Sequence, residues 1–166
     1  MGWGMEDVGT LARQLQSGSV AQRAAAAEVL CRLGEGAGAA ADAIVRACAD
    51  DELVSQWAVA ALEAMGPPPA ASAHALAGLA SDADERVAYW AITLLGRLGA
   101  AAESLTDVIL SALERSPHPS VRQRAAWALG RIGKRSAAVV AALGRSRESQ
   151  DPRLARLADQ ALSLLQ

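Results

Sequence analysis

The sequence predicts an all-α fold, an alpha-alpha superhelix (solenoid) of about five helical hairpins. Three observations lead there. Alanine supplies about a quarter of the 166 residues, while there is no Phe and a single Tyr, so the best helix former is abundant and strand formers are depleted. Leucines at 30, 62, 95, 129 and 162 recur at steps of 32, 33, 34 and 33 residues, each near the end of a similar segment. A glycine closes four of the five copies: Gly34, Gly66, Gly99 and Gly133.

The columns of this repeat justify each element. Eight residues before the marker leucines stand Gln22, Val54, Val87, Val121 and Leu154. Four before, every copy has alanine: Ala26, Ala58, Ala91, Ala125 and Ala158. One before stand Val29, Ala61, Leu94, Ala128 and Ala161, and three after stand Leu33, Met65, Leu98, Ile132 and Leu165. These offsets form one stripe of a 3.6-residue helix, and the constant alanine allows close helix–helix approach. Each such helix comes after a shorter apolar-periodic segment and a turn. The turns are Ser17-Gly18-Ser19, Asp50-Asp51, Ser81 to Asp84, Ser116 to Pro119, and a longer one from Gly144 to Asp151. They supply N-cap residues, with a proline for the first helical turn in two cases. The closing glycines are expected to stop their helices in the left-handed conformation, and Pro67-Pro68-Pro69 forbids continuation past Gly66. The chain thus reads as one domain, 1–166, of units at about 5–34, 35–66, 67–99, 100–133 and 134–166. In the first unit Trp3, Met5, Val8, Leu11 and Leu15 are spaced to cover the adjoining helix. One helix pair cannot bury its apolar face alone, so neighbouring pairs stack.

The best-filled copy, VRQRAAWALGRIG from Val121 to Gly133, resembles the HEAT repeats, and the short period is similar to their phycobilisome-lyase-like branch. Val121, Arg122, Ala125, Ala126, Ala128, Leu129, Gly130, Ile132 and Gly133 carry the likeness; Val87, Ala91, Leu95, Gly96, Leu98 and Gly99 repeat much of it. The Arg column is filled only by Arg23 and Arg122; Ser55, Ala88 and Ala155 depart from it. The resemblance implies that the second helix of each pair lines a concave, partner-binding face.

Helix arithmetic then selects the residues off the buried stripe. They are Gln56, Trp57 and Glu63 in the second unit; Tyr89, Trp90, Thr93 and Arg97 in the third; and Gln123, Arg124, Trp127 and Arg131 in the fourth. Three of the four tryptophans and the only tyrosine fall in this set. The expected partner-binding residues are therefore Trp57, Tyr89, Trp90, Arg97, Gln123, Arg124, Trp127 and Arg131, since Trp and Arg are enriched in binding hot spots. Trp57 and Trp90 border the stripe and fit equally as plugs in gaps left by alanines. Trp127 is read as a residue that does not have to fit among the alanines. In the last unit Leu157 and Leu164 occupy columns that hold Arg, Ala or Trp elsewhere, and Gln166 stands where other copies have glycine. That unit is either an adapted cap or a binding end.

Catalytic and metal chemistry find no support. His74 and His118 pair with no Cys, Asp or Glu at metal-ligand spacing. GEGAG at Gly34 to Gly38 lacks the Lys and Ser/Thr of a phosphate loop, and no Gly-x-Ser-x-Gly occurs. Cys31 and Cys48 have no CxxC spacing and fit reduced, packed thiols. The expectation is a non-catalytic adaptor with no cofactor. No apolar run is long enough to cross a membrane, and MGWGMEDVGT has neither the basic flank nor the apolar core of a secretory signal, so a cytoplasmic location is expected.

Charge is unevenly spread. Up to Glu114 the net charge is −9; from Arg115 onward it is +7. The basic rear favours an acidic or extended partner segment. It also raises nucleic-acid binding as a rival, against which the acidic first three units count. The polarity further implies weak head-to-tail self-association through the terminal units. The likeness to the lyase-like branch adds a third reading, a bilin lyase or chaperone-like subunit, for which no individual residue speaks.

Overall fold

The computed structural model describes residues 7–166, in which every regular element is a helix. Five pairs succeed one another: α1 (Val8–Ser17) and α2 (Val20–Leu33), α3 (Ala41–Ala47) and α4 (Glu52–Met65), α5 (Ala73–Leu79) and α6 (Glu85–Leu98), α7 (Thr106–Arg115) and α8 (Pro119–Ile132), α9 (Ala137–Arg147) and α10 (Pro152–Leu164). Trp3 and Met5, expected to cover the first helices, lie outside the described residues. The chain packs as two compact units, Met1–Ser72 and Ala73–Gln166. In the first, α2 lies against α4, α1 packs on α2, and α3 on α4. In the second, α6, α8 and α10 lie side by side, with α5, α7 and α9 each against its successor in the chain.

The alanine column makes this stacking possible. Ala26, Ala58, Ala91, Ala125 and Ala158 are all at most 1% exposed. Val54, Val87, Val121 and Leu154 are buried beside them, as are Leu30, Leu62, Leu95 and Leu129. The stripe frays in the first pair. Gln22 is exposed because its side chain closes a capping box with Ser19, and Leu33 is 40% exposed.

Two expectations about turns are corrected. Gly34, Gly66, Gly99 and Gly133 do carry the positive φ angles of the described chain, from 54° to 81°. Only Gly133 is left-handed helical, with ψ 7°; the others have ψ of −122°, −151° and −132°, a region open essentially to glycine alone. The cause lies on the C-terminal side of each glycine. Gly34 and Gly99 open 3-10 turns (Gly34–Ala40 and Gly99–Leu105) that redirect the chain at once, and Gly66 precedes three prolines. The final turn is also shorter than expected. Gly144 stays helical and α9 runs to Arg147, where buried Val139, Ala142 and Leu143 outweigh the glycine's cost.

The arginine column has a structural task. Arg23 clamps Asp50 through two hydrogen bonds of 2.7 and 2.8 Å and donates to the Gly18 carbonyl at 2.8 Å. It thus ties the turn before its own helix to the turn of the next pair. Arg122 repeats this: it donates to the Ser116 carbonyl at 2.6 Å and lies near Asp151 in the next turn along the chain. Ser55, in the same column, reaches its own turn by donating to the Cys48 carbonyl at 2.8 Å. Asp50 is held below the usual carboxylate range, chiefly by the Arg23 hydrogen bond.

A carboxyl whose folded-state pKa is lowered adds stability above its unfolded pKa, and that stability is lost as pH falls through the folded value. Chemical denaturation of the full chain monitored from neutrality to below about pH 4 should therefore show a loss of stability that is shallower in Asp50→Asn. An unchanged slope would remove the clamp from the account.

Candidate functional site

The site is built on α6, α8 and α10, the three parallel second helices of the larger unit. Their outward columns carry large side chains over a floor of small ones. Tyr89 and Trp90 of α6 meet edge to face, ring centroids 5.6 Å apart at 86°. Arg97, two turns on, lies over the Trp90 ring at 5.6 Å. Arg124 of α8 is sandwiched between aromatic faces, 4.7 Å from the Tyr89 ring and 4.9 Å from that of Trp127, and donates to the Tyr89 hydroxyl. Each cation–π contact of this kind contributes about 0.5–1 kcal/mol where partly exposed. A rigid strip Trp90–Tyr89–Arg124–Trp127 thus crosses two helices. All four of its side chains are half-buried.

Trp127 is placed differently from expectation. It does have to fit, and the fit is made by Gly96, a glycine in the middle of α6. A Cβ added to Gly96 would stand 3.0 Å from Trp127 Cε3 and 3.1 Å from the Ala128 Cα, and nearer still to Cζ3. One side of the indole is therefore packing, while the residue also lines a groove between α8 and α10. Gly130 repeats the device one helix on, where a Cβ would lie 2.9 Å from the Ala161 Cα. Both glycines occupy the column read from sequence as lying off the core, yet both are buried, because that side of the helix faces the next repeat. Thr93 is likewise buried, not outward, and its hydroxyl donates to the Tyr89 carbonyl at 2.8 Å.

Gln123 is engaged within the chain. Its amide donates to Asp151 at 2.8 Å, and this bond leads the causes that hold the Asp151 carboxyl below its usual range; the N–H groups of Leu154 and Arg153, and Arg122, add to it. Arg131 is exposed and forms no ion pair or hydrogen bond among the described residues. Trp57 lies half-buried on α4 in the other compact unit, four residues from Leu53, which is 51% exposed. The second unit therefore brings together seven of the eight expected residues.

Residues of α10 outside the expected partner-binding set, among them Leu157 and Leu164 of the end read as either a cap or a binding end, complete the surface. A depression of about 470 Å³ between α8 and α10 is lined by Trp127, Arg131, Leu157, Gln160 and Leu164, among others. A smaller one, about 90 Å³, continues from it past Arg124 and Arg153 and shares Trp127 and Leu157 with it. The signal was in the sequence: Leu157 shares a column with Trp57, Trp90 and Arg124, and Leu164 with Arg97 and Arg131. Leu164 is 64% exposed, the most of any large apolar residue described. Asp159 also lines the groove, at 3.8 Å from Arg147. Among the described residues no group of His, Cys, Asp or Glu could hold a metal ion, and no helix is long and apolar enough to cross a membrane.

This geometry, a face of parallel second helices over an alanine and glycine seam, agrees with the family comparison: residues 72–163 match the family model of HEAT repeats. The chain belongs to the HEAT-repeat family. Solved structures show the same fold. An engineered protein is 22% identical, with 97% of this chain and 80% of that one covered at a TM-score of 0.65. A designed armadillo repeat protein in complex with the peptide (KR)4 is 16% identical, with 96% and 82% covered and a TM-score of 0.65. The complex of CpcE and CpcF of phycocyanin lyase from Nostoc sp. PCC7120 is 17% identical, with 93% and 97% covered and a TM-score of 0.61. No curated protein matches the chain. In this HEAT-repeat chain, alanines and glycines set the helix spacing and the side chains above them vary.

The Gly96–Trp127 contact is testable. Gly96→Ala gains roughly 1 kcal/mol of helix propensity but overpacks the seam, which costs about 1–3 kcal/mol. Its cost should shrink when introduced together with Trp127→Ala, read as a coupling energy in a double-mutant cycle by urea denaturation. Additivity would mean that the indole does not rest on Gly96.

Proposed function

We propose that the chain is a non-catalytic protein–protein interaction module that holds an acidic segment of another protein along the α8–α10 groove. The observation that carries this reading is the pairing of half-buried apolar anchors, Trp127 and Leu157, with the exposed guanidinium of Arg131 on the same groove, which has no partner among the described residues. Aromatic and arginine anchors at the centre of a rigid face are what protein interfaces use. Arg124 is immobilised between two rings, so it costs little further side-chain entropy on binding.

The charge supports the choice of an acidic segment. Arg131, Arg153 and Arg156 are exposed on α8 and α10, and the chain from Arg115 onward has a net charge of +7. The structurally similar designed armadillo repeat protein is complexed with a cationic peptide, (KR)4. A face of positive sign in the same fold suits a ligand of negative sign. Trp57 belongs to the first unit, and its part in binding is separable from that of the groove. Gln123 acts as a strut through Asp151.

A photo-crosslinking side chain placed at exposed Gln160 in the full chain should capture a partner from native extract. Arg131→Glu combined with Arg153→Glu should lower that partner's affinity at least tenfold, with the wild-type affinity falling as salt rises. Both residues are exposed, so the melting temperature should move by no more than about 2 °C. Undiminished affinity in the double variant would end the reading.

A further inference from the structure

The column that supplies the turn clamps has a gap, and a cavity lies beside it. In α2, α4 and α8 the residue seven before the marker leucine reaches back to a turn carbonyl: Arg23 to Gly18, Ser55 to Cys48, Arg122 to Ser116. In α6 that residue is Ala88, 2% exposed, with no polar group to extend. Ala88 instead lines a cavity of about 520 Å³. It runs along α7 from Asp107 to Arg115, beside the α5–α6 turn. Ala77, Ala80, Ala88, Val108, Ala112 and Pro117 give it an apolar lining. Asp82 and Asp107 stand at its exposed rim together with Arg115, and none of the three forms an ion pair among the described residues.

We infer that this cavity is a second binding site, which takes one arginine side chain from a basic segment of a partner protein. The chain itself supplies the pattern. Arg23 occupies the equivalent place with one edge of its guanidinium on a carboxylate and another N–H on a turn carbonyl. A guanidinium entering beside Ala88 meets alanine methyls for its stem and an aspartate at the rim, Asp82 at the α5–α6 turn or Asp107 in the first turn of α7. Long cationic side chains bury their stems on apolar surface while the charged head stays among polar groups. The two carboxylates outnumber Arg115, so the rim attracts a cation. The cavity shares no lining residue with the α8–α10 groove, so the inference stands apart from the proposed function and takes a partner segment of opposite charge.

The test is a heteronuclear NMR titration of the full chain with N-acetyl-arginine methylamide, and with N-acetyl-leucine methylamide as the comparison. The arginine compound should bind with a dissociation constant on the order of 1 mM and shift the amides of Ala80, Ser81, Asp82, Ala88 and Ser116. The leucine compound should bind at least fivefold more weakly. Asp82→Asn with Asp107→Asn, two exposed substitutions that leave the lining intact, should weaken the arginine compound at least threefold. Ala88→Arg should place a guanidinium there in cis and abolish the shifts, with the dispersed spectrum of a folded chain retained. The inference is overturned if the arginine compound shifts none of these amides. It is overturned equally if leucine binds as well as arginine, which would make the cavity merely apolar, or if the doubly neutralised variant binds arginine unchanged.

Discussion

The whole arrangement rests on how closely the second helices approach. With alanine at the centre of every stripe, and glycine at 96 and 130 where α6 meets α8 and α8 meets α10, backbone comes within van der Waals reach of backbone. Dispersion between surfaces so close gains from many atom pairs, each worth only about 0.1–0.2 kcal/mol. At the closest points of the seams only alanine and glycine fit; leucines and isoleucines fill the core beside them, and the largest side chains stand at its outer edge. The half-buried strip of Trp90, Tyr89, Arg124 and Trp127 stands there, with Trp127 resting in the room that Gly96 leaves.

Two layers of side chains arise from that one constraint. At the turns, Arg23, Ser55, Arg122 and Gln123 tie one turn to the next or back to its own helix, leaning on turn carbonyls or on capping carboxylates. Across the middle of the helices, aromatic rings and guanidinium groups stack on one another without tying turns. Arg122 and Arg124 illustrate the division. Two residues apart on one helix, the first is consumed by the Ser116 carbonyl and the second is clasped between Tyr89 and Trp127. Residue type alone does not separate these roles; the direction in which the helix presents each residue does.

That is also why the fold was more legible than the site. A period of 32 to 34 residues, a constant alanine and a closing glycine are one-dimensional signals, and each reports a local need of helix packing or helix ending. The helix pairs appear where those signals placed them. The outward columns were legible only in part, because a helix in a stack has two kinds of non-core side: one open, one turned toward the next repeat. Gly96, Gly130 and Thr93 lie on the second kind or are drawn in by packing, and periodicity within a single helix does not tell the sides apart. Leu157 and Leu164 show the converse. Their columns matched those of Trp90 and Arg131, but aliphatic residues near the end of a repeat array read equally as a cap or as a binding end. The φ/ψ values of the closing glycines depend on whether a 3-10 turn or an extended segment comes next, a choice written in residues well past the glycine itself.

The turn clamps bear on how the chain comes apart as well as how it binds. In an array held by nearest-neighbour contacts, cooperativity is set by the weakest link between adjacent pairs. Arg23 spans such a link with charge-assisted bonds to Asp50, and Gln123 spans another by donating to Asp151. Between the α5–α6 and α7–α8 pairs the column offers only Ala88; at the exposed helix starts Glu85 accepts from Ser120 and lies 3.9 Å from His118, and farther along the helices Arg124 bridges Tyr89 and Trp127 while Trp127 rests on Gly96. A repeat without a clamp thus keeps its neighbours by packing across the middle of the helices and leaves an opening in its surface beside Ala88.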